Sequence, residues 1–511
     1  MKTLIIALMA VVCACLSGGI GYAAGGSVDA AACERLAASL TLPHTTVTSA
    51  QAVRAGTFVP PGSRGAAVKA AAGLPAFCRV SLTLKPSADS DIKSEVWLPL
   101  SGWNGKFQQV GNGAWGGSIQ YGPLGDGLRK GYAVASTDTG HTGSEASFAV
   151  GHPEKLIDFG YRAVHETAVQ GKATVAAAYG GAPRLSYFEG CSGGGRQAFM
   201  EAQRFPQDFD AIIAGDPGYN RMAQSFQLVS IAQATLKDPA SFIPAAKYPV
   251  IHRAALDACD ALDGLKDGLI SDPPRCHFDP TVLLCKGGDG PTCLTKPQVE
   301  AAKKIYAPLN DPRTGEEVFP GLEPGSEPRW AVSVGGPRPL GMSDDLFKSI
   351  VFKDPNWDFN TLDVSKHWDL AKTIDNGTIS PTSPNLDPFV GREGKLLLYH
   401  GWGDPNISPR SSTSYYEQLA QTLGKTRVAD SVRLYMVPGM GHCGGGEGPN
   451  TFDMLTVLEA WREHGKAPAD IVASHVTDGK VDRTRPLCPY PQIARYNGTG
   501  SVDEAANFVC K

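Results

Sequence analysis

Residues 187–199 read YFEGCSGGGRQAF, and the G-C-S-G-G run inside them constrains the fold more than any other stretch of the chain. The Gly-x-Ser-x-Gly spacing follows a strand-like segment, RLSYFEG, and opens a helix-like one, GRQAFMEAQRFP, which Pro206 stops. That order describes a strand–turn–helix elbow, which lifts a serine, here Ser192, onto a strained turn above a sheet. The glycines permit the turn and let helix and strand pack closely, and the helix N-terminus would stabilise a nearby oxyanion. In a chain with 59 glycines the spacing alone is weak, so the flanking pattern carries the argument.

The flanks repeat that pattern. SEVWLPL (94–100), KFQQVG (106–111), GYAVASTD (131–138) and DAIIAGDPG (210–218) read as strands, and residues 162–179 as a helix ended by Gly180 and Gly181. KLLLYHGWGD (395–404) and SVRLYMVPGMGHC (431–443) resume the rhythm after a long break. Alternating strands and helices predict an α/β fold with a mostly parallel sheet. The break, residues 219–387, holds Asp-Gly turns, four closely spaced cysteines and a Gly/Pro-rich stretch. With 511 residues in the chain, the simplest expectation is one α/β domain, 25–218 plus 388–511, interrupted by a lid-forming insertion at 219–387.

A serine hydroxyl needs a base to become a nucleophile. In folds built on such elbows the acid and then the histidine follow the serine along the chain. Asp404 and His442 stand in that order, each near the end of a strand. Other candidates fit less well. His141 precedes the serine, and His400 lies inside the strand leading to Asp404. Asp216 is a rival acid, but it comes directly after the elbow and before the insertion.

Cysteine usage supports the same assignment. Residues 1–24 (one lysine, an apolar run, small residues near Ala23) read as a secretory signal peptide, with lipid attachment at Cys15 the less favoured alternative. Beyond the leader ten cysteines remain, an even number that implies disulfides in an oxidising compartment, secreted or periplasmic. Cys191 precedes Ser192 and Cys443 follows His442. If serine and histidine are hydrogen-bonded, their neighbours fall within disulfide reach, so a Cys191–Cys443 bridge would staple the elbow to the histidine loop. The net charge of −4 offers no basic footprint for nucleic acid, and no later segment has the ~20 apolar residues of a membrane span.

The constellation Cys191–Ser192, Asp404 and His442–Cys443 resembles the tannase/feruloyl esterase family, which includes the hydrolase of mono(2-hydroxyethyl) terephthalate. GCSGGGRQAFMEAQRFPQDFDAIIAGDP, FKDPNWDF and MVPGMGHC look like that family too, and the likeness runs over nearly the whole mature chain. It implies an α/β-hydrolase fold with a large lid and an exported serine esterase. That enzyme would act on small aromatic carboxylic esters through an acyl-enzyme, with no organic cofactor. Feruloyl or other hydroxycinnamoyl esters are the first choice, galloyl esters or mono(2-hydroxyethyl) terephthalate the alternatives. An inactive exported binding protein on the same scaffold is the alternative of another class, and the oligomeric state is left open.

The backbone N–H of Gly193 is the expected first oxyanion donor. The second would come from QVGNGAWGG (109–117), with Gly113 preferred and Ala114 next. Residues 259–276, CDALDGLKDGLISDPPRC, do not fit the EF-hand spacing, and physics alone favours a solvated Asp-Gly turn. The resemblance instead implies structural calcium bound by the Asp260, Asp263 and Asp267 side chains and the Leu265 and Leu269 carbonyls. It also suggests the bridges Cys259–Cys276, Cys33–Cys78, Cys285–Cys293 and Cys488–Cys510. Specificity would lie in the lid, which offers Trp330, Trp357, Phe347 and Phe352 as rings and Arg329, Arg338 or Lys348 as a carboxylate partner.

Overall fold

The computed structural model describes residues 26–62, 64–65, 69 and 71–511. The expected leader, its cleavage near Ala23 and the alternative acylation at Cys15 lie outside the described residues. Fifteen strands are found among the described residues. The first seven are β1 (Thr45–Val53), β2 (Phe77–Leu84), β3 (Ile92–Pro99), β4 (Lys106–Val110), β5 (Ala133–Thr137), β6 (Leu185–Cys191) and β7 (Ala211–Gly215). Then come β8 (Leu309–Asn310), β9 (Glu317–Phe319), β10 (Lys395–Gly401), β11 (Val432–Val437), β12 (Ile471–Thr477), β13 (Lys480–Leu487), β14 (Ala494–Tyr496) and β15 (Phe508–Cys510). Nine of them form one sheet in the order β1-β2-β3-β5-β4-β6-β7-β10-β11.

From β5 to β11 the neighbours are parallel, whereas β1, β2, β3 and β5 pair antiparallel. The parallel half is apolar on both faces because helices cover both. Phe107, Phe188, Ile212, Leu396 and Leu398 pack with Val175, Phe199 and Leu419 of the helices on one side. Tyr187, Ile213 and Leu397 pack with Leu124, Leu458 and Trp461 on the other. Adjacent residues such as Ile212 and Ile213 thus enter different cores, as the two-residue period of a strand requires.

The strand and helix expectations around the elbow hold within a few residues. The helix expected over 162–179 spans Ala163–Tyr179 and ends at Gly180, whose φ of 78° is the left-handed C-cap conformation that glycine adopts freely. The expectation of a mostly parallel sheet holds, with an antiparallel edge at β1, β2, β3 and β5 that the sequence reading did not specify. Strand β1 reads TTVTSAQAV, a polar run that only half buries itself against β2, so nothing in its composition marks it as a strand of the main sheet.

Between β7 and β10 the chain adds no strand to the main sheet. It forms helices Arg221–Leu236, Tyr248–Cys259, Lys296–Tyr306 and Val364–Asp375 and the β8–β9 hairpin, with one apolar cluster of its own and a second shared with Trp115, Ala146, Phe159 and Ile407 of the flanking chain. Trp330 and Phe347 are fully buried in those clusters, and Phe352 and Trp357 stack beside Phe347. Trp330 and Phe347 are therefore interior packing, and Phe352 and Trp357 are partly buried beside Phe347.

Candidate functional site

Ser192 stands between β6 and the helix Gly193–Arg204, with φ 62° and ψ −117°. A non-glycine residue there is strained, and the surroundings hold it: the Ser192 N–H donates to Gly215 O at 2.9 Å and Arg196 N–H closes the first helical turn onto Ser192 O at 3.0 Å. Close approach explains the flanking glycines. A Cβ on Gly190 would lie 2.6 Å from the Gly194 backbone.

Asp404 lies in the turn after β10 and is fully buried. One carboxylate oxygen, Oδ1, accepts from the Asn406 and Ile407 backbone N–H groups at 2.7 and 3.1 Å. The other, Oδ2, is 2.7 Å from His442 Nδ1 and 3.2 Å from His400 Nε2. His442 Nδ1 therefore carries a proton toward Asp404, which leaves Nε2 as the basic nitrogen of the neutral ring. Burial disfavours charge on His442, but the Asp404 carboxylate beside it, and Asp216 further off, outweigh that and raise its pKa to about 9. Burial likewise opposes ionisation of Asp404, yet the two histidines hold its pKa below the ordinary carboxylate value.

The bridge expected from cysteine placement is present. Cys191 and Cys443 are bonded with a Cα separation of 6.0 Å, which ties the residue before Ser192 to the residue after His442 across 252 positions. The other four pairs also form as expected: Cys33–Cys78, Cys259–Cys276, Cys285–Cys293 and Cys488–Cys510.

Asp216, the rival acid, is buried a short distance away and makes a different bond. It accepts from the Gly401 N–H at 3.0 Å, lies 3.7 Å from His400 Nε2 and 3.4 Å from Cys191 Sγ, and burial raises its pKa to about 6. No His442 nitrogen bonds to it. His141 stacks on Phe148 at 3.7 Å and contacts Thr139, outside the Asp404 cluster. The residue that sequence reading passed over is His400. Its Nδ1 accepts from the Ser412 hydroxyl at 2.7 Å while Nε2 faces Asp404 and the Ile407 carbonyl at 3.2 Å, so it clamps the acid from behind. The only sequence signal was its position four residues before Asp404.

The expected oxyanion donors adjoin one another. A Cβ on Gly193 would meet the Asn112 and Ala114 carbonyl oxygens at 3.1 Å and Ala114 N at 3.2 Å. As the first helical residue, Gly193 has no intrahelical acceptor for its N–H. Among the described residues the N–H groups of Gly113 and Ala114 have no hydrogen-bond partner either.

In the aspartate loop, Asp260 accepts from the Asp267 and Gly268 N–H groups at 3.2 and 3.0 Å, and Asp263 from Leu265 N–H at 2.9 Å. Asp267 pairs with Arg485 of β13 at 2.7 Å, and Arg495 donates to the Asp263 carbonyl. Among the described residues Asp260 and Asp263 have no cationic partner at ion-pair distance. Two groups of potential metal-ligating side chains converge elsewhere, Asp216–His400–Asp404 and Cys191–Asp216–Cys443. The first shares protons with histidine, and both sulfurs of the second are spent in a disulfide.

Comparisons with known proteins bear on the family and the fold. A family model described as tannase and feruloyl esterase matches residues 78–511. An uncharacterised esterase of Xanthomonas campestris pv. campestris is 42% identical, over 94% of this chain and 91% of its own. A probable feruloyl esterase B-2 of Aspergillus terreus is 31% identical over 96% of this chain and 97% of its own. The crystal structure of feruloyl esterase B from Aspergillus oryzae is similar at TM-score 0.89 and 30% identity, covering 94% of this chain and 100% of that one. Tannin acyl hydrolase from Aspergillus niger shares the fold at TM-score 0.78 and 21% identity, with 96% of each chain covered.

Proposed function

The chain belongs to the tannase and feruloyl esterase family and is a carboxylic ester hydrolase, and on that premise we propose that it is an exported serine esterase cleaving hydroxycinnamoyl esters through an acyl-enzyme on Ser192. The observation that carries this reading is the 2.7 Å bond between His442 and Asp404, clipped by Cys191–Cys443 to a strained serine.

In this reading Ser192 Oγ attacks the ester carbonyl as His442 Nε2 takes its proton. The oxyanion lies against the N–H of Gly193 and of Gly113 or Ala114, donors that no protein acceptor competes for. His442 then gives the proton to the leaving alcohol, and water activated by the same nitrogen releases the acid. Asp404 keeps Nδ1 protonated and steadies the imidazolium. His400 acts at one remove, by holding Asp404. Residues 219–387 serve as the lid.

The hydroxycinnamoyl choice rests on relatives named feruloyl esterases at 30–31% identity over most of the chain, whereas the tannin acyl hydrolase, at 21%, bears on fold alone. Export rests on the leader-like residues 1–24 and on five disulfides, a number suited to an oxidising compartment. The loop of Asp260, Asp263 and Asp267 with the Leu265 and Leu269 carbonyls is assigned to structural calcium. The donor set is hard oxygen, and Asp260 and Asp263 have no cationic partner at ion-pair distance among the described residues, although Arg495 lies near Asp263. Calcium there would supply charge and stiffness, not chemistry.

The test is turnover of methyl ferulate, methyl gallate, mono(2-hydroxyethyl) terephthalate and a short p-nitrophenyl ester by the mature protein and by Ser192→Ala. Preference for methyl ferulate, with kcat reduced by about a million-fold in the variant, is the expected result. Equal, background-level rates for both proteins would sink the nucleophile assignment and favour a binding protein.

A further inference from the structure

A recess of about 690 Å³ lies behind the elbow and is lined by neither Ser192 nor His442. It opens between the carboxyl ends of β4 and β6 and is walled by Gly113, Gly190 and Cys191. The connections from these strands diverge there: β4 is followed by the helix Tyr121–Arg129 on one face of the sheet, and β6 by Gly193–Arg204 on the other. In open α/β sheets that divergence creates a crevice suited to ligands. The volume falls in the range of small-molecule sites, roughly 300–1,000 Å³.

The lining has a definite chemistry. Glu189, next to last but one on β6, is half-buried; Gln108 donates to its Oε2 at 2.9 Å, and its Oε1 takes no hydrogen bond from the protein. The Tyr399 hydroxyl has no hydrogen-bond partner among the described residues, although burial and the nearby charges of Asp216 and Glu189 all disfavour its ionisation. The Phe452 ring meets the Tyr399 ring edge-on at 5.2 Å and supplies a flat apolar wall. At the rim Lys130 and Asp453 pair at 3.0 Å and so cancel each other's charge.

We propose that this recess binds a neutral saccharide ring, with the Glu189 carboxyl and Tyr399 hydroxyl meeting its hydroxyl groups and Phe452 packing on its apolar C–H face. A carboxyl group and a phenol can accept from and donate to several hydroxyls at close spacing, which a simple anion or an apolar ligand would not use. The aromatic wall matches the amphipathic faces of a pyranose or furanose, and the balanced rim draws no ion. An anionic ligand is disfavoured because the basic side chains of the lining, Arg129 and Lys130, are already paired with Asp126 and Asp453 at 3.0 Å, and Glu189 and Tyr399 add no positive charge. The assignment does not depend on which acyl group Ser192 transfers.

The test is titration of D-xylose, L-arabinose and D-galactose, with sodium benzoate as the anionic probe, into the mature protein followed by calorimetry and saturation-transfer NMR. Glu189→Gln and Phe452→Ala are compared with wild type, and unchanged methyl ferulate turnover and melting temperature serve as the fold control. Expected is binding of at least one sugar, weakened about tenfold or more by each replacement, with benzoate failing to compete. If Glu189→Gln misfolds, Phe452→Ala carries the test. The proposal is overturned by any of three results: no sugar binds the wild type, sugar binding is indifferent to both replacements, or benzoate displaces the sugar.

Discussion

The turn at Asp404 and the loop at Asp260–Asp267 are both carboxylate sites beside a disulfide, yet they satisfy their charges in different ways. Asp404 is fully buried, and it combines local partners, the Asn406 and Ile407 N–H groups and the His400 imidazole, with one from a distant loop, His442. The loop is half-buried and satisfies itself mainly with its own backbone N–H groups, plus one arginine from β13. A buried carboxylate must be fully hydrogen-bonded to remain ionised, and this makes Asp404 a rigid anchor for His442. In the loop only Asp267 is ion-paired, and on the proposed reading calcium would balance Asp260 and Asp263. The bridges differ accordingly: Cys191–Cys443 spans 252 residues and joins the end of β6 to the loop after β11, while Cys259–Cys276 spans 17 and closes a local turn.

The comparison breaks first at the acid. Asp404→Asn should lower kcat on methyl ferulate by about 10⁴-fold, because the amide cannot hold the His442 tautomer or stabilise its cation. Asp260→Asn should leave kcat within about twofold. If both variants lost activity equally, the distinction between an anchoring and a cation-binding carboxylate would be wrong.

The two bridges come next. Chain-entropy reasoning assigns about 5 kcal/mol to the 252-residue loop and about 3 kcal/mol to the 17-residue loop, so Cys191→Ser/Cys443→Ser should unfold at markedly lower denaturant than Cys259→Ser/Cys276→Ser. Only the first pair should also depress kcat. Chemical denaturation beside turnover assays gives both readings, and an inverted order of midpoints counts against the account.

A smaller effect is expected from chelation. Removing calcium bound at about a hundred times its Kd should cost about 3 kcal/mol of stability and lower Tm by several degrees, with kcat unchanged at temperatures well below Tm. An EGTA-insensitive Tm would assign the loop to its Arg485 pairing alone.

The mildest test is pH. His442 must be neutral to act as base, and Asp404 raises its pKa to about 9 from the usual 6.5, so kcat/KM should climb with pH through that range. In Asp404→Asn the inflection should move down toward 6.5. The same shift bears on stability: a raised histidine pKa contributes fully below about 6.5, and the contribution is lost as pH rises through 9. An inflection below 6.5 in the wild type would contradict the pairing.

Much of the site was legible in the sequence because its determinants are local. Glycine at 190 and 194 permits close packing around the elbow, cysteine at 191 and 443 marks two loops that must meet, and parallel strands such as β7 and β10 are apolar runs because both faces are buried. Strand β1 was not legible, since an edge strand half in water carries no apolar run. His400 was missed for another reason. It looked like one more strand residue, and its value comes from the turn 401–407, which folds Asp404 back onto it.

The sequence by itself determined the elbow, the order of serine, acid and histidine, and the cysteine staple, all features of residue type and adjacency. The sequence favoured Asp404 over Asp216 by position along the chain alone; the tertiary structure adds which of the two faces His442, both being buried within one cluster bridged by His400. Direction separates them: the turn after β10 aims Asp404 at His442, while Asp216 is spent on the Gly401 N–H. A hydrogen bond needs its atoms within about 3 Å and in line, a tolerance set by the packing of β7, β10 and β11 against one another and carried by no single stretch of the chain.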